Sequence, residues 1–341
     1  MLETQLSRKT KNLAARINDL GTRANTDIAK ASDLEYFWSW AEIAHNLSES
    51  YPVPLEILMN FVTTHLLGEL PDAVEEHLKK IKMKQFKGRH KLNTVLRRVS
   101  TISWKHGKLN IPKDNNPAFH PDVVEVLRNA ADDPSHARKA AQAVDKSILV
   151  KVLKSIPDDI PGIRDRALFA VAWASGGRRR SEAIGMTMEQ REEYEDASGG
   201  YYIFNLTHIK NRKNTEEPLR VKIGGMAKEY LDAWLKIAKI KSGYIFRQMT
   251  KGGKTIKDSP ISGTQFYRIT KKRFLESGIP GVDKFSPHSF RSGFITELGK
   301  RDGNVGDGMA MTGHKCLQTF MSYYQAGAAE SNSAANMLDD D

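Results

Sequence analysis

Residues 176–182 read Gly176-Gly177-Arg178-Arg179-Arg180-Ser181-Glu182, and what flanks this run decides the architecture. Upstream, RDRALFAVAWAS (residues 164–175) is apolar on all sides and reads as a buried helix. Downstream, residues 201–207 alternate through Phe204 and Leu206, and residues 217–223 through Leu219, Val221 and Ile223. Both read as strands, and the polar HIKNRKNTE between them is a hairpin tip. Further helices are expected over 226–240, 263–277, 289–300 and 317–324. The two glycines end one helix, three arginines stand at the turn, and a new helix begins. Such a turn offers guanidinium groups beside backbone N–H donors, which suits a phosphate. The plainer reading is a basic surface loop.

The whole chain has 341 residues, with 52 Lys plus Arg against 41 Asp plus Glu and a net charge of +11. Single cores rarely grow beyond ~250–300 residues, so two domains are expected. At 40% hydrophobic residues there is material for real cores, which excludes a disordered chain. The single Cys excludes an internal disulfide framework and a Cys-based zinc site, and fits a cytosolic compartment. No run of about 18 apolar residues is present, so no transmembrane helix is expected. The first 25 residues lack the apolar stretch of a secretory signal. The positive charge points to a polyanionic partner.

That charge is shared along the chain. Residues 1–143 hold 21 basic and 17 acidic residues, and residues 144–341 hold 31 and 24. Between His77 and Lys113 there are 12 Lys or Arg and no acid. Leu92, Val95, Leu96, Val99, Ile102 and Ser103 recur there at helical spacing. This predicts an amphipathic helix over 91–105 with Arg97, Arg98 and Lys105 on its outer face. Solvated faces usually mix both signs, so an acid-free face favours phosphate contacts. Lys84, Lys87, Arg89, Lys91, Arg97, Arg98 and Lys105 are the candidates for them. An aromatic stripe in 33–47 (Leu34, Phe37, Trp38, Trp40) and a helix over 54–67 supply the core of an all-helical bundle, residues 31–131. The first 30 residues read as a flexible basic arm, and residues 132–143 as a linker.

Four islands in the second part carry side chains able to do chemistry. The arginine turn is the first. The second is Lys210 in the hairpin tip, with Arg212 and Lys213 near it, although such tips are commonly Lys-rich. The third is Ser286-Pro287-His288-Ser289-Phe290-Arg291. A helix starting at the Ser-Pro puts His288 and Arg291 on one face. The fourth is Thr312-Gly313-His314-Lys315, with Tyr323 nine residues after His314 and Tyr324 next to it. Cys316 between them reads as a small packing residue.

Each island alone is common in structural roles. Together they suit phosphodiester chemistry. A phenol attacks phosphorus, and two guanidiniums stabilise the non-bridging oxygens. An imidazole takes the phenolic proton, and a Lys protonates the departing oxygen. A phenol of pKa ~10 needs electropositive surroundings to act near neutral pH. No P-loop and no clustered carboxylates for paired metals are visible, which agrees with chemistry done without a metal.

The order Arg … Lys … His-x-x-Arg … Gly-His … Tyr resembles the tyrosine recombinase, or phage integrase, family over roughly residues 160–325. The family's Gly-x-Arg-x-Ser-Glu pattern falls on Gly177 to Glu182, which makes Arg179 the catalytic arginine and Glu182 its supporting acid. The family's hairpin Lys often stands eight residues before a Pro-Leu; that is Lys210 before Pro218-Leu219, with Lys213 as the alternative. His288 and Arg291 match the His-x-x-Arg box, His314 the next position, and Tyr323 the nucleophile. HKLNTVLRRVSTISWKHGKLNIPKDNN (residues 90–116) resembles the end of a family core-binding domain. DDPSHARKAAQAVDKSILVKVL (residues 132–153) resembles an interdomain linker and first catalytic helix.

The resemblance implies a mainly α fold with a small β-sheet. An all-helical N-terminal core-binding domain (31–131) and a mixed α/β catalytic domain (144–325) would form a C-shaped clamp on DNA. Residues 326–341 would dock as a helix on a neighbouring protomer through Ala328, Ala329, Ala334, Ala335, Met337 and Leu338; a frayed tail is the alternative. It also implies a homo-tetramer on two duplexes with inverted-repeat target sites. Strands would pass through a 3′-phosphotyrosine and a Holliday junction without metal or ATP, in a cytoplasmic, nucleoid-associated enzyme away from membranes. Two other readings remain: a type IB topoisomerase, and a non-catalytic DNA-binding protein on the same scaffold.

Overall fold

The computed structural model describes residues 24–136, 142–197, 199–207 and 217–331. The chain divides into two compact units, Met1–Lys139 and Ala140–Asp341. Among the described residues no helix is long and apolar enough to cross a membrane.

In the first unit, α1 (Ala24–His45) begins inside the segment expected to be an arm, so residues 24–30 are helical instead; residues 1–23 lie outside the described residues. Helix α2 (Leu55–Leu67) stops at Gly68, whose φ of 79° ends the helical hydrogen bonding. It is followed by α3 (Asp72–Lys80), α4 (Leu92–Lys108) and α5 (Pro121–Asp132). Phe37, Trp40, Phe61, Leu78, Val95 and Ile102 form the buried centre of this all-helical unit, and the aromatic stripe of α1 is its core.

Two side chains of α4 depart from the expected faces. Leu96 is 36% exposed, and Arg98 is buried at 8%. At 100° per residue, Arg98 lies three positions after Val95 and four before Ile102, so the helix turns it inward. Its charge is met there by the Tyr36 ring 3.3 Å beneath the guanidinium and by Asp33 Oδ1 at 3.5 Å from Nε.

The linker read over 132–143 is narrower at both ends. Residue 132 closes α5, and Pro134–His136 is a 3-10 turn. The Gln142 N–H donates to Lys284 O at 3.2 Å and the Val144 N–H to Ser289 O at 2.9 Å, which ties residues 142–144 to the second unit.

The second unit opens with α6 (Lys146–Ser155) and α7 (Ile160–Ala174). Asp159 caps α7 by accepting from the Gly162 N–H at 2.7 Å, and the helix is buried along most of its length. After the short α8 (Arg180–Ile184) come β1 (Arg191–Asp196), β2 (Gly199–Leu206) and β3 (Leu219–Gly224), an antiparallel sheet in chain order. Phe204 pairs with Val221 and Tyr202 with Ile223. Those four and Leu206 are buried in the core of the unit. REEYED at β1 has no apolar alternation, which is why pattern reading passes over this exposed edge strand.

The rest is α9 (Gly225–Ala238), a pair of short strands β4 (Arg247–Met249) and β5 (Ile256–Pro260), then α10 (Gly263–Glu276), α11 (Ser289–Lys300), α12 (Val305–Thr312) and α13 (Leu317–Ser331). The architecture is mainly α with small sheets, as expected. Helix α13 crosses α11 at backbone contact. A Cβ on Gly299 would stand 2.1 Å from Tyr324 O, and one on Gly327 would stand 1.9 Å from Thr296 O. Ile295, Phe320 and Tyr324 fill the seam. Residues 326–331 continue α13, where Ala328 packs against this cluster and Ala329 is exposed. Ala334, Ala335, Met337 and Leu338 lie outside the described residues.

Candidate active site

The turn after α7 sends its three arginines to different environments. Gly177 has φ 65°, and a Cβ there would stand 2.1 Å from Arg291 Cα, so only glycine lets the turn lie on the start of α11. Arg178 is fully buried, with Nη2 donating to Met311 O at 2.6 Å. Arg180 is exposed and lies over Gly263 at the start of α10. The Arg179 side chain is 28% exposed; its Nη1 donates to Glu182 Oε1 at 2.8 Å, and its backbone N–H to Glu182 Oε2 at 3.3 Å. Of the three, Arg179 alone combines a buried carboxylate anchor with partial exposure to solvent.

His288 is the exposed cap of α11, and Arg291, one turn on, is 2% exposed. Arg291 Nη1 donates to Gly177 O at 3.4 Å, and Nη2 lies 3.0 Å from His314 Nδ1. Gly313, with φ 68°, ends α12 and turns the chain into His314, whose Nδ1 also meets the Thr312 hydroxyl at 2.8 Å. Tyr323 comes from α13: its ring centre is 6.4 Å from that of His288, and its main-chain oxygen accepts from Thr296 Oγ1 at 3.3 Å. Tyr324 is 8% exposed and donates its hydroxyl to Gly303 O at 2.9 Å, so that phenol is engaged in packing α13. Lys210 and Lys213 lie outside the described residues.

Charge is concentrated here. Burial pushes Arg291 down to about 9, helped by Arg178 and Arg179, while Glu182 and Tyr323 pull it back up. Burial pushes His314 down to about 3, reinforced by Arg291, Arg179, Arg178 and His288. His314 is therefore a neutral imidazole near pH 7. The Arg291 Nη2 lies 3.0 Å from Nδ1 and 3.3 Å from Nε2 of this ring.

The remaining candidates divide. Lys84 and Arg98 do not face outward. Lys84 is buried against Glu75 at 2.7 Å and also donates to Phe86 O and Gly88 O, and Arg98 is buried as described. A backbone loop must be held, so this lysine turns inward despite its basic neighbours. Lys87, Arg89, Lys91 and Arg97 are exposed, and Lys105 is half-buried. Cys316, expected to pack, is exposed. Arg178 and Thr312 stand in the quoted islands, but the sequence assigns them no role: adjacent arginines look alike, and Thr312 carries no charge.

A model of the phage integrase family matches residues 143–330, more than half of the sequence. The chain belongs to the phage integrase family. It is a tyrosine recombinase, an enzyme of site-specific DNA recombination. This integrase-family chain is 26% identical over 326 residues to an integrase/recombinase xerD homolog of Selenomonas ruminantium, covering 92% of this chain and 85% of that protein. It is 25% identical over 274 residues to a tyrosine recombinase of Pseudothermotoga lettingae, covering 79% of this chain and 84% of that one. Among solved structures it is similar to the Tn1549 transposon integrase in complex with transposon right end DNA, with a TM-score of 0.57, 14% identity, and coverage of 94% of this chain and 98% of that one. A lambda integrase dimer bound to a COC′ core site is similar at TM-score 0.52 and 14% identity, covering 94% of this chain and 93% of that one. At these identities the two structures bear on the fold.

Proposed function

We propose that this recombinase cuts double-stranded DNA with the Tyr323 hydroxyl and rejoins it to a partner strand. His288 takes the phenolic proton as Tyr323 Oη bonds to the scissile phosphorus. Arg179 and Arg291 hold the non-bridging oxygens, and His314 donates its ring N–H to one of them. The bond from phosphorus to the 5′ oxygen breaks, and that oxygen takes a proton from Lys210, or from Lys213 if the register differs. The products are a 3′-phosphotyrosine and a 5′-hydroxyl. The hydroxyl of a partner strand then attacks the ester, returns the phenol, and yields a Holliday junction. The ester retains the bond energy, so no nucleotide hydrolysis is required.

The observation that carries this reading is the meeting of Tyr323, His288 and Arg291 from two helices, with His314 on the buried guanidinium and Tyr324 engaged elsewhere. The relatives supply the frame: the lambda integrase is a dimer bound to a core site, and the Tn1549 integrase a complex with transposon end DNA. Four protomers on two duplexes carrying inverted repeats fit a reaction that exchanges strands in pairs. Lys87, Arg89, Lys91 and Arg97 would meet the backbone phosphates. Such a substrate puts the enzyme in the cytoplasm with the nucleoid.

The test is covalent trapping on a library of inverted-repeat duplexes. Wild-type protein should give a denaturant-stable adduct. Tyr323→Phe should shift the same DNA in a native gel and give none. An adduct with Tyr323→Phe moves the nucleophile to another residue. Binding without any wild-type adduct favours a non-catalytic DNA-binding protein, and relaxation of supercoils without joint products favours a topoisomerase.

A further inference from the structure

Arg178 is absorbed by none of the steps above, yet its burial is expensive. Its side chain has no exposure, and Nε and Nη1 have no hydrogen-bond acceptor among the described residues. A buried guanidinium with orphaned donors is rarely tolerated without a compensating use. Nη2 is anchored on Met311 O at 2.6 Å, three residues before His314. Nη1 stops 3.8 Å from Glu182 Oε2, just beyond hydrogen-bond reach. That carboxylate is held by Arg179 instead, through Nη1 and the backbone N–H. One buried carboxylate thus stands between two arginines, fully bonded to the one that faces the substrate and nearly in reach of the one that does not.

We propose that Arg178 is a positioning residue that takes over the Glu182 carboxylate when Arg179 turns its guanidinium to a scissile phosphate. In the resting site Glu182 holds Arg179 back. When Arg179 moves to the phosphate, Glu182 would keep only the Arg179 backbone N–H and the Arg178 Nη1 3.8 Å away, a weakly compensated buried charge. A shift of under 1 Å brings Oε2 onto the waiting Nη1, satisfies that donor, and leaves Arg179 committed to the anion. Because Nη2 stays on Met311 O, the handover is braced against the segment that carries His314. The inference rests on Arg179 binding the scissile phosphate, as proposed above.

A merely structural arginine would act differently. Its loss would lower stability and leave the cleavage rate of the folded protein unchanged. A relay acting through Glu182 has no effect of its own once that carboxylate is gone.

The experiment is a double-mutant cycle of Arg178→Met and Glu182→Gln. Its probe is the duplex recovered from adduct trapping, with single-turnover cleavage and DNA affinity measured separately. Arg178→Met should slow cleavage about tenfold and leave affinity within about twofold. In the Glu182→Gln background the same change should cost less than about twofold. Arg178→Lys, which keeps the charge but not the fork, should recover part of the rate. Cleavage by Arg178→Met at the wild-type rate, or effects that multiply, would overturn the handover while wild-type cleavage upholds the recombinase reading. Absence of any wild-type adduct would instead overturn that reading. If Arg178→Met fails to fold, the cycle with Arg178→Lys decides by the same criterion.

Discussion

Replacing Gly177 by alanine tests whether the site is built on backbone contact. Its φ of 65° already disfavours a side chain, at ~1–2 kcal/mol for an L-residue. The new Cβ would stand 2.1 Å from Arg291 Cα, 2.7 Å from its N and 2.8 Å from its Cβ. Non-bonded carbons settle ~3.5–4.0 Å apart, so the turn and α11 must separate by roughly 1.5 Å. Overpacking of this kind costs a further ~1–3 kcal/mol, for a total of ~2–5 kcal/mol. A displacement of about 1 Å at Arg291 should slow cleavage by about 10², with binding of DNA retained. Gly278→Ala is the matched control, because it has φ 68° in the same unit and nothing within 4 Å of a Cβ. It should lose only the ~1–2 kcal/mol of backbone strain and cleave normally. Urea denaturation and single-turnover cleavage read both quantities. If the two variants are equally stable and equally active, the close approach of Gly177 to Arg291 has no part in the site.

Three other outcomes are expected. Tyr324→Phe should keep adduct formation and lose about 1 kcal/mol in urea unfolding, because only the hydrogen bond to Gly303 O disappears; loss of the adduct would put Tyr324 in the chemistry. Lys84→Met should cost about 3 kcal/mol by stranding Glu75, with the salt dependence of DNA binding unchanged, whereas Lys87→Ala should leave unfolding nearly unaltered and reduce the log–log salt slope by roughly 0.9. The reverse pattern would exchange their roles. Lowering the pH should destabilise the fold. His90 and His314 are both pushed down to about 3, His90 by burial first, then by Arg98 and Lys84, so the unfolded chain takes up protons near 6.5 that the folded one refuses. That stability is whole above about 6.5 and is lost progressively as the pH falls toward 3. The urea midpoint should drop between pH 7.5 and 5, and His90→Gln should flatten the fall; a level midpoint would contradict the burial argument.

Much of this was legible beforehand because periodicity records burial. The strands through Phe204 and Val221 follow from alternation that only a core explains, and the helix from Ser289 to Lys300 from its Ser-Pro start. His288, Arg291, His314 and Tyr323 are singled out by chemistry and order; in the fold Arg291 Nη2 lies 3.0 Å from His314 Nδ1, and the rings of His288 and Tyr323 are 6.4 Å apart. Compensated charge was not legible. Arg98 and Lys84 looked like surface cations until Tyr36 and Asp33, or Glu75, came into contact with them from distant segments. Three neighbouring arginines likewise differ only by a third of a turn or so each, and one backbone reversal at Gly176 and Gly177 assigns them to interior, pocket and surface.

The crossing of α11 and α13 at Gly299 and Gly327 has a mechanical consequence. Where two main chains touch, there is no flexible side-chain layer to yield, and the elements move as a single casting. In the proposed mechanism the attacking oxygen of Tyr323 would ride on one half of that casting and the Arg291 guanidinium on the other. Their spacing is therefore a constant of the subunit and not a throttle. On that mechanism, restraint of the nucleophile would come from how the phosphate is delivered and how the remaining cations are released, so stiffness at a glycine seam would set where in the cycle control is exercised.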